Sequence, residues 1–377
     1  MSWEEGSINR YSTFPELAER ISTYFNVVDS YIDQSGVPTF ILVEGDYKTG
    51  FKRLHQELAG HGLLPILRKE WGRIILRVFS KPSIKHRPKK WLNLILLIVT
   101  LITIFVAGYW GFISTPVLKD ILMKGENTYL QAASFAACLF GIIGLHELGH
   151  ITACKMHGLD FSLPYFIPGP PPYGTFGAVV SLRSPPKNRD ELFDTGFAGP
   201  ISGFMATLLV TVISLKMGFL VSLEQAAEWE TKGLIQTAKW PMYPLLFDVL
   251  LPMVRPIPRG YSLILTHIEF AAWVGALVTF LNILPIWQLD GGHISRAVLG
   301  VRGHRIASLI GLVILFATGY WFFALFLLLW MLSSGRGLAG AEPLDDVSPL
   351  SNSRKALYIL ALIILVLCFV ELPIFYS

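Results

Sequence analysis

Residues 131–156 are apolar enough to cross a bilayer, yet in their midst stands the pentapeptide His146-Glu147-Leu148-Gly149-His150. Such a run has one structural choice. Hydrocarbon offers no water to the backbone, so a helix must satisfy its own N–H and C=O groups. On that helix residues four apart share a face, so His146 and His150 can offer two imidazole nitrogens to one metal while Glu147 sits one position round. Each ionisable group in hydrocarbon costs on the order of 2 kcal/mol or more, so an intramembrane cluster is functional by default. The plain alternative is two histidines capping nearby carbonyls, with Glu147 paired to a Lys or Arg.

The rest of the chain is equally apolar. Of its 377 residues 53% are hydrophobic and only 15% charged, which identifies an integral membrane protein. The net charge of +4 is small, and its cations gather beside apolar spans, notably in Lys85-His86-Arg87-Pro88-Lys89-Lys90. That pattern orients a chain in a membrane and argues against nucleic-acid binding. Cys138, Cys154 and Cys368 have neither zinc-knuckle nor redox spacing, so no structural disulfide is expected. The first apolar span begins near Trp91, after a mostly polar stretch, so neither a cleavable signal peptide nor a transit peptide is expected.

Residues 1–84 are expected to form a small soluble α/β domain on the cytoplasmic side. Thr13-Phe14-Pro15-Glu16 reads as a capping box opening a helix to about Tyr31. A strand at 38–43, a helix within 46–60 and strands at 63–68 and 73–79 follow, the last two joined by Glu70-Trp71-Gly72. Nothing in this domain carries chemistry. Residues 85–377 form the membrane domain, with a core at about 131–300. Spans are expected at 91–113, 131–156, 197–220 and 263–284, and again in the runs 307–332 and 356–375. The run 307–332 is either one tilted helix or a hairpin broken near Gly319. With both termini inside, the motif lies in the cytoplasmic half of its span, at the level where the fourth span ends.

HExxH suits a zinc hydrolase, because the Glu can take a proton from water at the metal and pass it to the leaving amine. Zinc needs a third protein ligand, leaving a fourth position for water. The candidate is Asp290, in Asn282-Ile283-Leu284-Pro285-Ile286-Trp287-Gln288-Leu289-Asp290-Gly291-Gly292-His293, where a span ends at a Pro and an acid follows at a Gly-flexed turn. Asp290 could equally be the N-cap of the amphipathic segment 294–299.

His146, Glu147, His150 and Asp290, in this order and in these spans, resemble the site-2 protease family of intramembrane zinc metalloproteases. The resemblance rests on HELGH and on Asn-x-x-Pro-x-x-x-Leu-Asp-Gly, complete at Asn282 to Gly291, and covers about 132–299. It implies that His146, His150 and Asp290 bind one Zn2+ and that Glu147 is the acid/base. It also implies that Asn282 helps bind substrate or stabilise the oxyanion, which its amide donors suit, although a helix-end cap explains it nearly as well. The substrates it implies are transmembrane segments already shortened by another protease, as in regulated intramembrane proteolysis. The membrane it implies is the cell membrane of a prokaryote.

Gly174, Phe176 and Gly177 begin a β-branched stretch, 174–182, that resembles the family's glycine-containing segment. Its free edge could pair with an extended substrate, as cleavage of an unwound transmembrane helix requires, or it is a structural hairpin below the site. Gly199-Pro200-Ile201-Ser202-Gly203 reads as close helix packing at the start of the third span. His293 reads as a partner of a ligand or an interfacial residue rather than a fourth ligand. The chain departs from one branch of the family, since the 221–262 loop is too short for a PDZ module.

The expected architecture is therefore a polytopic α-helical membrane protein, with about six transmembrane helices around an intramembrane zinc site and a short membrane-associated β segment. Its expected partners are transmembrane protein substrates and membrane lipid. A metal-binding transporter or an inactive scaffold is the rival from another class. Intact Glu147 and the lack of paired repeats with broken helices weigh against it. A membrane-chamber zinc protease acting on soluble or lipidated peptides would more typically supply Glu as third ligand.

Overall fold

The computed structural model describes residues 13–81, 90–235, 243–334 and 340–370. The basic residues 85–89, Arg336 and the end of the last apolar run lie outside them.

The chain opens with α1 (Phe14–Ser22), β1 (Val27–Ile32), β2 (Pro38–Leu42), α2 (Lys48–Ala59), β3 (Leu63–Glu70) and β4 (Arg73–Ser80). The first helix is shorter than expected. It stops at Ser22, and Val27 to Ile32 form a strand, because a β-branched and aromatic run packs better on a pleated surface than in a helix. Thr13 makes no side-chain cap. The four strands form one antiparallel sheet in the order β1-β2-β4-β3, which leaves β3 at an edge. Alternation then decides the two faces. Leu63 and Leu67 of β3 and Ile74, Leu76 and Val78 of β4 bury against Leu17, Ile21, Phe51, Leu54 and Leu58 of the two helices. Each such side chain contributes roughly 1.5–3 kcal/mol. Trp71 and Gly72, both with positive φ (53° and 79°), make the tight turn between β3 and β4.

His55 on α2 is half-buried, and its Nδ1 has no hydrogen-bond partner. Burial, reinforced by the charges of Lys187 and Lys81, pushes its imidazole down from 6.5 to about 4. Between those values the unfolded chain binds a proton that the folded chain refuses. Stability from this group is thus complete above pH 6.5 and lost as pH falls towards 4. Hydrogen-exchange protection factors across α2, referred to the intrinsic exchange rate at each pH, are expected to be lower at pH 5 than at pH 7.5, and His55→Gln to remove much of that difference. Equal acid sensitivity in both proteins would clear His55 of the role.

Beyond the sheet the chain is mostly helical: α3 (Lys90–Ile113), α4 (Thr128–His157), α5 (Arg189–Met217), α6 (Leu223–Thr231), α7 (Leu245–Val254), α8 (His267–Ile283), α9 (Asp290–Ala317), α10 (Trp321–Ser333) and α11 (Asn352–Leu367). Among the described residues, four stretches are long and apolar enough to cross a membrane: Trp91–Ile113, Thr128–His157, Arg189–Met217 and Asp290–Ala317. The fourth expected span is the shorter α8, of 17 residues. The run 307–332 breaks at Gly319 (φ 87°), dividing between α9 and α10. α9 starts earlier than its apolar run suggests and bends at Gly300, whose φ of 69° no helix contains. α5 likewise begins eight residues before Phe197, capped by the Asn188 side chain on the Glu191 N–H. Pro200 is consequently an interior residue of the helix, not one of its first turn.

Two small antiparallel sheets complete the fold, β5 (Tyr165–Pro168) with β6 (Thr175–Val179) and β7 (Phe219–Ser222) with β8 (Tyr261–Ile264). The β5–β6 hairpin is anchored by Tyr173, stacked on Phe270 and Trp273 of α8 at centroid distances of 6.0 and 6.5 Å. The main apolar core lies among α5, α8, α9, α10 and α11, around Phe193, Phe280, Ile286 and Leu315. α4 crosses beside it and carries the HELGH motif.

Candidate metal centre

On α4 the motif divides by helical phase. Leu145 and Leu148 point outward, 48% and 54% exposed, while His146 and Glu147 are each 4% exposed, and the two histidines face α5. α5 accepts them because it presents small residues. A Cβ on Gly199 would stand 2.1 Å from His150 Nε2, and one on Gly203 3.0 Å from His146 Nδ1. α4 reciprocates with Gly149, where a Cβ would meet the Ala198 carbonyl oxygen at 2.2 Å. The spacing that read as packing is therefore the groove in which both imidazoles lie. His150 Nδ1 is 2.8 Å from the Thr195 carbonyl oxygen, to which it must donate. Its proton is thereby committed to Nδ1, and Nε2 presents a lone pair.

Asp290 arrives from the other side. It is the first residue of α9, and the turn before it is tight enough that Cβ atoms on Gly291 and Gly292 would lie 1.8 Å from the Ile283 oxygen and 2.2 Å from the Trp287 oxygen. Trp287 takes a positive φ of 42°, and its N–H donates to Ser308 Oγ (3.1 Å), which in turn donates to the Pro285 carbonyl (3.0 Å). That brace sets Asp290 Oδ2 3.2 Å from His146 Nε2 and 3.3 Å from His150 Nε2, and the two Nε2 atoms are 3.1 Å apart. Among the described residues these three form the group able to hold a metal ion.

The donors fit zinc. Tetrahedral coordination with bonds of about 2.0–2.1 Å places ligand atoms about 3.3 Å apart, close to the triangle observed. With its proton on Nδ1, a neutral His150 turns its Nε2 lone pair towards Asp290 and His146 Nε2, so that the three donor atoms converge as ligands of one metal cation would. Glu147 Oε2 is also buried without a partner, as a group reserved for something outside the protein would be.

These residues line a cavity of about 690 Å³. Its walls include Asn282, His293, Thr195, Trp287, the run from Ala178 to Pro186, and Ala341 with Glu342. Asn282 thus lines the same cavity as the candidate donor triad, as does His293, which does not belong to the donor triangle. The other candidate substrate residues are placed differently. Gly174 packs on α3, where a Cβ would come within 2.6 Å of Ile104 Cα, and its carbonyl accepts from Thr103. Phe176 is 68% exposed, and Gly177 (φ 93°) has open space beside it. The part of the segment that reaches the cavity begins at Ala178. Sequence reasoning missed Thr195, whose backbone oxygen does the work and leaves no sequence signal, and missed the 341–342 wall, which lies far along the chain. Elsewhere, His157, His267 and His304 bond to the Asp194 carboxylate, the Gln131 carbonyl and Ser295 Oγ, respectively.

The family described as Peptidase family M50 matches residues 134–326, which include every member of the donor triangle. The chain is 29% identical over 247 residues to the probable zinc metalloprotease EGY2, chloroplastic, of Arabidopsis thaliana, covering 59% of this chain and 42% of that one. It is 31% identical over 250 residues to the probable zinc metalloprotease EGY1, chloroplastic, of the same plant, covering 63% and 42%. With the probable zinc metallopeptidase EGY3, chloroplastic, also of that plant, it shares 22% over 270 residues, covering 66% and 47%. The chain spans less than half the length of these relatives. No solved structure matches it.

Proposed function

This chain belongs to peptidase family M50, and from that premise we propose that it is an intramembrane zinc metalloendopeptidase hydrolysing peptide bonds within or beside transmembrane segments of membrane proteins. The observation that carries the reading is the His146, His150 and Asp290 triangle with the unpartnered Glu147 carboxylate beside it, on helices apolar enough to cross a membrane. One Zn2+ held by the triangle would polarise a peptide carbonyl and acidify water. Glu147 takes the proton of the attacking water as the C–O bond forms, then delivers it to the departing nitrogen as the C–N bond breaks. The Asn282 amide, in the cavity wall, donates to the oxygen on which negative charge develops. Thr195 keeps His150 in one tautomer throughout.

The substrate must reach this cavity unwound, because a helix spends its amides on itself. Ala178 to Leu182, continuing from β6 along the cavity wall, is the segment we assign to holding it extended. Gly177 supports that role by letting the strand bend, with Gly174 pinning its start to α3.

The same proposal divides the chain into a soluble α/β unit at 1–84 and a membrane unit at 85–377, and counts six crossings by adding α8 and α11 to the long four. The basic run at 85–90 favours a cytoplasmic sheet. A prokaryotic cell membrane is the proposed location. The relatives' names, which are chloroplastic, favour a plastid membrane instead, and fractionation of the source cells decides between them.

Purified protein in lipid nanodiscs, given a single-span membrane protein as substrate, tests the proposal. Chelation should abolish cleavage and added zinc restore it, with the cut mapped by mass spectrometry to the apolar segment or its border. Cleavage that survives complete metal removal, or that falls only in soluble tails, would falsify it.

A further inference from the structure

Arg296 is the largest wholly buried side chain among the described residues, and nothing in the proposed proteolysis uses it. It stands on α9, less than two turns beyond Asp290. Its Nη1 and Nη2 both donate to Asp346, at 3.0 Å to Oδ1 and 2.7 Å to Oδ2. Arg189, the first residue of α5, donates from Nε to the same Oδ1 (3.1 Å) and from Nη2 to the Asp346 backbone carbonyl (2.7 Å). One carboxylate therefore ties the opening turn of α5 to α9. Those are the helices whose Thr195 and Asp290 complete the metal centre from opposite sides, and they already touch there, since a Cβ on Gly196 would lie 2.8 Å from the Asp290 backbone oxygen. The spacing of α5 from α9 at this level sets where Asp290 stands relative to His150. A paired, planar guanidinium fixes spacing and orientation together.

Asp346 is itself held by the N-terminal sheet. Residues 344–346 lie as a short parallel rung between the outer edge of β3 and residues 186–188. The Leu67 N–H donates to the Leu344 carbonyl (2.9 Å) and the Asp346 N–H to the Leu67 carbonyl (3.2 Å). On the other side the Leu344 N–H donates to Pro186 (2.8 Å) and the Asp345 N–H to Lys187 (2.9 Å). The Leu344 side chain, 3% exposed, belongs to the core of the N-terminal sheet.

We propose that Asp346 is a positioning residue for the metal centre and that the N-terminal sheet acts on that centre through it. The sheet holds the rung, the rung holds Arg296 and Arg189, and these hold Asp290 against the two histidines. The inference rests on the zinc-protease reading. It gives the N-terminal sheet, which carries no chemistry, a part in building the site.

The test uses the full chain in nanodiscs and measures zinc affinity by chelator competition together with kcat and KM for a membrane-span substrate. Asp346→Asn is expected to weaken zinc binding by about tenfold or more and to lower kcat with little change in KM. Because that variant leaves a buried Arg unpaired, it is paired with the double variant Asp346→Asn, Arg296→Met, which removes the unpaired charge but does not restore the tether. The double variant should regain thermal stability and keep the weakened zinc affinity. Leu344→Ala should weaken zinc binding in the same direction, whereas Leu58→Ala, buried in the same core but carried by α2 and not by the rung, should not. A double variant with wild-type zinc affinity and kcat overturns the proposal, as does Leu344→Ala behaving like Leu58→Ala. Wild-type protein that neither binds zinc nor cleaves removes the reading beneath and this inference with it. Wild-type protein that does both, beside an unaffected double variant, removes the inference alone.

Discussion

Glu147→Gln is expected to reduce peptide-bond cleavage by about 10³-fold while zinc remains bound at wild-type stoichiometry. The two side chains have the same length and nearly the same volume, so the 4%-exposed site keeps its packing. His146, His150 and Asp290 are untouched, which preserves the metal. What disappears is the capacity to accept a proton from water and return it to the leaving nitrogen, because an amide does neither at neutral pH. The two histidines of the motif do not substitute. His146 and His150 have their Nε2 atoms in the donor triangle, and His150 has committed Nδ1 to Thr195. Rate and metal content measured on one preparation separate this outcome from general damage. Cleavage at the wild-type rate by the Glu147→Gln variant would end the assignment of Glu147 as acid/base, whatever became of the metal ligands.

Much of this centre was legible in the sequence. A helix is the solution forced on an apolar span, and helical phase alone puts His146 and His150 on one side of it. Asp290 was legible as an acid at a turn bounded by Pro285 and two glycines, and its meeting with the histidines followed from two spans ending at one level. Contacts carried by backbone atoms were not legible. Thr195 serves through its carbonyl, and the 344–346 rung through N–H and C=O groups that almost every residue possesses. Local propensity misled in two places for a shared reason. The capping box at Thr13 and the apolar start at Phe197 were read from their own neighbourhoods, whereas α1 is cut short by the sheet that claims Val27 to Ile32 and α5 is lengthened by the Asn188 cap. Arg296 shows the limit most plainly. Read in sequence it is one more cation after an apolar turn. Only the fold, by bringing Asp346 fifty positions back to it, turns it into a buried, carboxylate-paired tether.

Gly199→Ala should abolish metal binding almost as thoroughly as loss of a ligand, though it changes no ligand. The added methyl would lie 2.1 Å from His150 Nε2, 2.5 Å from Cε1 and 2.6 Å from Cδ2, overlapping the ring at the nitrogen that belongs to the donor triangle. Three escapes are open to the imidazole, and each damages the site. Rotating about χ2 breaks the 2.8 Å bond to the Thr195 carbonyl and with it the tautomer. Swinging about χ1 carries Nε2 out of the triangle with His146 and Asp290. Moving α4 bodily away from α5 opens a close contact along its length, where Gly149 faces the Ala198 carbonyl and Gly203 faces His146. A fall in zinc affinity of about 100-fold is therefore expected, with cleavage lost in proportion to occupancy and recovered in part at high zinc. Gly203→Ala should follow in the same direction with a smaller effect, since its methyl would stand at 3.0 Å from His146 Nδ1. Gly141→Ala, on the same helix as the histidines but with nothing within 4 Å, should leave zinc affinity unchanged. Chelator competition on the three variants reads the order directly. If Gly199→Ala held zinc as tightly as Gly141→Ala, the close approach of α5 would have no part in building the metal site, and the glycines of α5 would be ordinary helix packing.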